Sequence, residues 1–345
     1  MTSLLSSIPD QNPLKIEKNP FITDQRKINY LRISLTDRCN LACIYCVPKK
    51  SIPMLAHKDI ATYEELLKII EISVELGITK VRITGGEPLV RKGLPDFLKK
   101  LSEIDKIKDI SITTNGILLK KYLNELKNSG LKRLNISLDT LKPDKFKLIT
   151  GKDLFHNVWD SIMAAYEKGI TPIKLNTVSL KGINDDEIEN LAAITIEYPF
   201  HVRFIEYMPM GNSAVDISQQ ILIPEIRQRI ESHFGNLEPV KRQRYDGPAK
   251  RFKIKGAKGE IGFISPVSSH FCKDCNRLRL TSTGMLRPCL LNKYEKDILQ
   301  HLRRGASNRE LKEIIKSVIR DKPLSHHLEE NTGSNVEAQM SKIGG

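Results

Sequence analysis

NYLRISLTDRCNLACIYC, residues 29–46, passes from a short apolar run into a loop that carries Cys39, Cys43 and Cys46. NYLRISL has the length and branching of a buried strand. The loop behind it spaces its thiols with three and then two residues between them. A disulfide takes two sulfurs, and a structural zinc site wants four ligands. Three thiolates on one short loop suit a cubane iron–sulfur cluster with one iron left open. A zinc ion that borrows His57, or three thiols without a ligand, stays open until the rest of the chain is read.

The strand-like pattern returns as KVRIT (80–84), DISITTN (109–115), RLNISL (133–138), PIKLNTV (172–178) and HVRFIEY (201–207). Helical patterns fall between them. In ATYEELLKIIEISVELG (61–77), Thr62 and Glu65 predict a capping box and Gly77 a stop. Further helices are expected over 94–103, 119–129, 155–168 and 185–197. Six strand–helix repeats call for a parallel sheet with right-handed crossovers, and periodicity does not say whether the sheet closes. Each strand ends in polar or glycine-rich residues: SLTDRC, ITGGEP, TTNG, SLDT, NTVSL and EYMPMGN. In barrel-type α/β folds chemistry gathers at those carboxyl ends, so the first cysteine loop belongs to a functional rim.

Beyond residue 215 the alternation stops. IPEIRQRIESHF (223–234) leads to shorter strands around RFKIK and GEIGFIS, then to a second triplet, Cys272, Cys275 and Cys289. The chain is therefore expected to divide into an N-terminal tail (1–25), an α/β domain (26–215), a smaller C-terminal domain (216–325) and a tail (326–345).

At 345 residues there is room for one large domain plus a smaller one. The net charge is +14, from 55 basic and 41 acidic residues. Nucleic acid, a membrane surface or a phosphorylated substrate fits such an excess, and so does a solvated basic face with no partner. The basic residues are scattered rather than gathered in one run, and no aromatic platform accompanies them, which argues against nucleic acid. No apolar run approaches the roughly 20 residues a membrane helix needs. The opening MTSLLSSIPDQNP has neither a basic start nor a hydrophobic block. Neither a membrane span nor a secretory signal is expected, and the cytoplasm is the expected compartment. In that reducing compartment the six cysteines, all within the two triplets, point to metal or redox chemistry rather than disulfides.

Two further features bear on chemistry. Thr84-Gly85-Gly86-Glu87-Pro88 closes the second strand, and glycines let a backbone approach a ligand closely, here one carrying an amino acid moiety. In the second triplet, His270 stands two residues before Cys272, which leaves a Cys₃His zinc site open on spacing alone. Arg277 and Arg279 follow Cys275 at once, and guanidinium groups make bidentate contacts with phosphate. The chain ends in Gly344-Gly345, which without side chains can thread a narrow cleft and offer its carboxylate to a cation.

C-x₃-C-x₂-C after the first strand, with GGEP after the second, resembles the radical S-adenosylmethionine superfamily. Within it, the chain from Asn29 to Gly345 resembles the GTP 3′,8-cyclase family, which opens molybdenum-cofactor biosynthesis. DRCNLACIYCVP, RITGGEPL, TTNG, NISLD, KGIND, RFIEYMP, FCKDCNRLRL and the terminal GG follow that family's pattern in order. The resemblance implies an α/β fold: a partial (β/α)₆ TIM-type barrel with a smaller C-terminal α+β extension carrying a second iron–sulfur cluster.

It also implies two [4Fe–4S] clusters, one on Cys39, Cys43 and Cys46, the other on Cys272, Cys275 and Cys289, whose open iron takes the guanine of GTP. Implied S-adenosylmethionine contacts are Tyr45, Gly86, Ser137 and Met208. Implied GTP contacts are Arg32, Arg82, Thr113, Lys174, Arg277 and Arg279. Arg277, Arg279, Gly344 and Gly345 are implied to be catalytic, the diglycine by entering the cavity. Arg32, Arg82 and Lys174 stand on three different strands, where inward-facing cations would gather a triphosphate and outward-facing ones would need salt-bridge partners. The implied activity is that of a lyase. A 5′-deoxyadenosyl radical removes hydrogen from the ribose 3′ carbon, the carbon radical attacks C8 of guanine, and an electron and a proton complete the ring. Implied partners are GTP, a reductant such as flavodoxin or ferredoxin, a second copy in a homodimer and a downstream cyclic pyranopterin monophosphate synthase, with neither nucleic acid nor membrane. The alternatives are a radical enzyme acting on a peptide or another nucleotide, and a basic iron–sulfur or zinc protein that binds nucleic acid without turnover.

Overall fold

The computed structural model describes residues 22–23, 26–46, 54–210, 213–243, 246–325 and 343. Its centre is a twelve-stranded sheet in which eight successive strands run parallel. The first part alternates as read: β1 (Tyr30–Ser34), α1 (Tyr63–Glu75), β2 (Lys80–Thr84), α2 (Leu94–Ser102), β3 (Asp109–Thr114), α3 (Leu119–Lys127) and β4 (Arg133–Ser137). Two helices follow, α4 (Pro143–Thr150) and α5 (Phe155–Glu167), then β5 (Ile173–Ser179), α6 (Ile188–Glu197) and β6 (His201–Glu206). The remaining named elements are α7 (Ile223–Phe234), β7 (Lys250–Lys253), β8 (Glu260–Ile264), β9 (Arg277–Leu280), β10 (Met285–Arg287), α8 (Ile298–Arg303) and α9 (Asn308–Arg320).

The capping box of α1 is formed: Glu65 N–H donates to Thr62 Oγ1 at 3.2 Å, and Thr62 N–H donates to Glu65 Oε2 at 2.7 Å. The sequence reading did not separate α4. Its signals are nonetheless local, Pro143 in the first turn and Gly151 beyond the last residue at φ +77°.

The inner strands alternate with a period of two. Leu31 and Ile33, Val81 and Ile83, Ile110 and Ile112, and Leu134 and Ile136 are buried in one core with Leu66, Ile69, Phe97 and Leu123 of the helices. A buried Leu or Ile contributes roughly 1.5–3 kcal/mol. A one-residue slip would exchange these side chains with Arg32, Arg82, Ser111 and Asn135, so the register is firmly set.

The residues after 215 do not build a sheet of their own. β9 pairs in parallel with β1 at one edge, and β8 pairs in parallel with β6 at the other. Antiparallel β10 and β7 follow, and the two-residue strands Lys296–Asp297 and Glu238–Pro239 form the two ends, so the sheet stays open. The expected tails fall outside the described residues apart from 22–23 and Ile343. Among the described residues no helix is long and apolar enough to cross a membrane.

Candidate active site

The parallel strands enclose a chamber of about 320 Å³. All six cysteines line it, three from the loop after β1 and three from the segments flanking β9 and β10. Tyr45, Gly86, Ser137 and Met208 line it too, as do Arg32, Arg82, Thr113, Arg277 and Arg279. Lys174 does not: it is buried near the start of β5, in register with Asn135. Gly344 and Gly345 lie outside the described residues. Their neighbour Ile343 is 3% exposed, packs with Met208, Met210, Leu290 and Leu291, and takes a hydrogen bond on its carbonyl from Arg279 at 3.5 Å.

Two neighbours hold the first cysteine loop. The end of α4 accepts from it, Ala42 N–H to Thr150 O and Ile44 N–H to Ile149 O, each at 3.0 Å. The Gly85–Gly86 turn donates to it, Gly86 N–H to Thr36 O at 2.6 Å and Glu87 N–H to Arg38 O at 2.8 Å. A methyl on Gly86 would collide with the Arg38 carbonyl, and one on Gly85 would sit 2.8 Å from the Thr36 oxygen. The glycines thus serve the approach of this turn to the cysteine loop itself.

Carboxylates flank this end of the chamber. Glu87 accepts from Leu89 N–H, Thr114 Oγ1 and Asn115 N–H at 3.0, 2.7 and 2.7 Å, and burial pushes it up to about 7. Asp139 accepts from the Tyr45 hydroxyl at 2.5 Å and from Val178 N–H at 2.8 Å, and burial pushes it up to about 6. Burial also raises the three thiols, Cys46 to about 12, and the nearby Asp139 and the other cysteines of the loop add to the rise at Cys43 and Cys46. Three thiolates in such a place need a positive group among them, which an iron cluster supplies. His57 is exposed and is not part of the wall.

The strands carry the opposite charge. In register, Arg279 of β9 lies beside Arg32 of β1, Arg32 beside Arg82 of β2, and Arg82 beside Ser111 of β3. Two residues earlier the same strands bring Arg277, Tyr30, Lys80 and Asp109 side by side. Arg203 of β6 also lines the chamber and donates to Asn135 Oδ1 at 3.2 Å. Burial, then repulsion from Arg279 and Arg82, holds the Arg32 guanidinium well below its usual range. Arg203 falls to about 9, Arg279 to about 10 and Lys174 to about 6, in each case through burial first and like-charged neighbours second. Arg32 Nε, Thr113 Oγ1 and Asn176 Oδ1 are buried at this chamber with no hydrogen-bond partner among the described residues. Each such group costs about 1–3 kcal/mol until something pairs with it. Crowded, desolvated cations, with the orphaned Arg32 Nε among them, call for a polyanion, whereas the Asn176 oxygen calls for a donor.

The second triplet belongs to this basic side. Burial pushes the Cys275 thiol up, but Arg277 and Lys322 outweigh it and bring it down to about 6. His270 faces inward to its own turn, Nδ1 at 3.0 Å from Pro266 O, and is not part of the wall. Among the described residues no three Cys, His, Asp or Glu side chains converge on a point where one ion would sit. A four-iron cube spreads its ligands wider than a lone zinc does, and the donor set of each triplet fits it.

Four residues of this site escaped the sequence reading, among them Asn176, which opens the NTVSL strand end. Arg203 carried the same signal as Arg32 and Arg82, a charge inside an apolar strand, and Asp139 closes the SLDT strand end. Lys322, just past the last helix, carried none.

Comparison with known proteins agrees with this geometry. Residues 33–194 match the radical SAM superfamily model, and residues 200–328 match the Molybdenum Cofactor Synthesis C model. The GTP 3′,8-cyclase of Thermodesulfovibrio yellowstonii is 50% identical over 323 residues, 93% of this chain and 98% of the relative. The chain belongs to the GTP 3′,8-cyclase family. The cyclase of Desulforamulus reducens is 47% identical over 321 residues, again 93% of this chain and 98% of that one. This cyclase-family chain shares its fold with Streptococcus suis SuiB bound to the precursor peptide SuiA, at TM-score 0.62 and 16% identity over 89% of this chain and 74% of SuiB.

Proposed function

We propose that the chain is a GTP 3′,8-cyclase, a lyase that converts GTP to (8S)-3′,8-cyclo-7,8-dihydroguanosine 5′-triphosphate, the first step of molybdenum-cofactor biosynthesis. One observation carries this reading: the chamber is electrically polarised. Its first-triplet end holds the buried carboxylates of Glu87 and Asp139, and its strands hold a row of buried guanidinium groups. S-adenosylmethionine brings an ammonium and a sulfonium that suit the first, and GTP brings a triphosphate that suits the second. A peptide substrate would leave the arginine row unpaired.

Cys39, Cys43 and Cys46 hold one [4Fe–4S] cluster and Cys272, Cys275 and Cys289 the other, and with S-adenosylmethionine the first supplies the one-electron chemistry that takes hydrogen from the ribose. The chain's own residues bind and orient. Tyr45, Gly86, Ser137 and Met208 hold S-adenosylmethionine. Arg32, Arg82, Arg203, Arg277 and Arg279 grip the triphosphate, with Lys174 behind them, while Thr113 and Asn176 give their unpaired atoms to the nucleoside. Arg277 and Arg279 also face the reacting end. The division at residue 215 is one of labour, the barrel 26–215 holding the radical source and 216–325 the substrate-side cluster. A one-electron donor such as flavodoxin or ferredoxin, a homodimer in the cytoplasm and a cyclic pyranopterin monophosphate synthase downstream complete the reading.

Anaerobic incubation with GTP, S-adenosylmethionine and dithionite tests it. The hydrogen removed leaves in 5′-deoxyadenosine, and an electron and a proton restore the count, so the expected product is an isomer of GTP with new retention and ultraviolet absorption. Cleavage of S-adenosylmethionine with GTP left unchanged would overturn the proposal.

A further inference from the structure

Lys322 follows α9, far in sequence from every cysteine, yet its side chain is buried at the chamber wall. Its Nζ donates to the carbonyl of Arg277 at 2.8 Å and to the carbonyl of Pro288 at 2.6 Å. Those carbonyls lie two residues after Cys275 and one residue before Cys289. Burial lowers the ammonium's affinity for its proton, and the negative charges that act against this are those of Cys275 and Cys289. A buried ammonium without a paired anion costs several kcal/mol. Among the described residues no carboxylate is within ion-pair distance of it, so the cysteine sulfurs are the anions its charge faces.

The backbone around Lys322 is itself tied down. Arg26, 6% exposed, donates through Nη1 to the carbonyls of Cys272 at 3.1 Å and Pro323 at 2.9 Å, and through Nη2 to the carbonyl of Lys322 at 3.2 Å. Three distant stretches of chain, at 26, 272–289 and 322–323, meet at one clasp around all three cysteines.

We propose that Lys322 is the positioning residue of the second triplet: it closes the span between Cys275 and Cys289, and its charge sets the reduction potential of the cluster they hold. Arg26 seats it. A cation against the thiolates favours the more negative, reduced state of the cluster and so raises its potential. The inference rests on the reading that the second triplet carries a cluster.

Lys322→Met and Lys322→Gln test it in anaerobically purified, full-length protein. Lys322→Met has no donor and is expected to lose about half of the iron and sulfide, one cluster of two, while reductive cleavage of S-adenosylmethionine persists. Lys322→Gln still donates to a carbonyl but has no charge. It is expected to keep its iron and to show the second cluster's midpoint potential, read by redox-titrated electron paramagnetic resonance, moved to more negative values. Full iron in both variants with an unmoved potential would overturn the proposal. So would loss of both clusters together in Lys322→Met, which would make Lys322 a general prop of the fold. Wild-type protein with only about four irons would instead sink the reading of the second triplet and leave the clasp a structural feature.

Discussion

The two cysteine triplets share one chamber but stand in opposite electrostatic settings. Around Cys39, Cys43 and Cys46 the charged neighbours are Glu87 and Asp139, and hydrogen bonds such as those from Leu41 N–H and Asn115 Nδ2 to the Cys39 sulfur only partly oppose the burial that raises the thiols. Around Cys275 the neighbours are Arg277 and Lys322, which hold the sulfur as thiolate despite burial. Burial thus disfavours the thiolate at each cysteine of the first loop, whereas at Cys275 the protein itself favours it. The proposed function accounts for the difference by what each end would bind. A sulfonium cofactor calls for carboxylates near the first, and an anionic nucleotide calls for cations near the second.

The strongest way to break this comparison is to remove a ligand from each side. Cys43→Ala is expected to abolish S-adenosylmethionine cleavage altogether. Cys275→Ala is expected to leave that cleavage intact and to abolish GTP cyclisation. Chromatography of 5′-deoxyadenosine and of the nucleotide from the same reaction reads both. Cleavage near the wild-type rate in Cys43→Ala, or zinc in the second triplet of the wild type, would dissolve the division of labour.

A second test reads the contrast directly. In iron-depleted protein near neutral pH, Cys275 at about 6 is mostly thiolate while Cys46 at about 12 is almost wholly thiol. After allowing for the weaker nucleophilicity of the more acidic thiol, iodoacetamide is expected to alkylate Cys275 about a hundredfold faster than Cys46. Peptide mapping after short exposures gives the ratio, and equal rates would show that the surrounding charges do not act as described.

The basic side can be weakened alone. Arg203→Ala removes one guanidinium from the chamber, and a charge-assisted contact is worth about 1.5–3 kcal/mol. GTP affinity is expected to fall by roughly ten- to a hundredfold, with S-adenosylmethionine affinity unchanged. Calorimetric titration of each ligand separates the two, and a parallel loss of both would mean that Arg203 supports the chamber as a whole.

How much of this was legible beforehand depended on range along the chain. The cysteine loops, the GGEP turn and the six repeats are local patterns, and so they were read. Arg32 and Arg82 came from the family resemblance, with an outward-facing reading left open, and a charge inside the apolar strand HVRFIE gave the same unused hint for Arg203. What no local pattern carries is lateral register. That Arg279, Arg32 and Arg82 form one row depends on β9 pairing with β1, whose partners, such as Arg279 and Arg32, are 279 − 32 = 247 residues apart in sequence. Lys322 is harder still, because a lone lysine after a helix looks like any solvated residue until the fold closes over it. Lys174 shows the converse: it shares a face of β5 with the chamber-lining Asn176, two residues nearer the start of the strand, yet it is not among the lining residues.

The acidic side offers the smallest and most delicate effect. Asp139 has its carboxyl raised to about 6 by burial, against the hydrogen bonds from Tyr45 and Val178 that pull it down. The folded chain therefore binds that proton more tightly than the unfolded chain, whose aspartates titrate near the ordinary value of about 4. The stability this proton lends is fully present below that ordinary value and is lost as pH rises through about 6. Between about pH 4.5 and 5.5 the loss is on the order of 1 kcal/mol. Asp139→Asn cannot titrate, so iron-depleted variant and parent, unfolded by urea across that window, are expected to diverge by this amount, with the parent showing the steeper fall. Parallel curves would mean that Asp139 is ionised as freely as in water, and the carboxylate end of the chamber would lose the buried character that sets it against the arginine row.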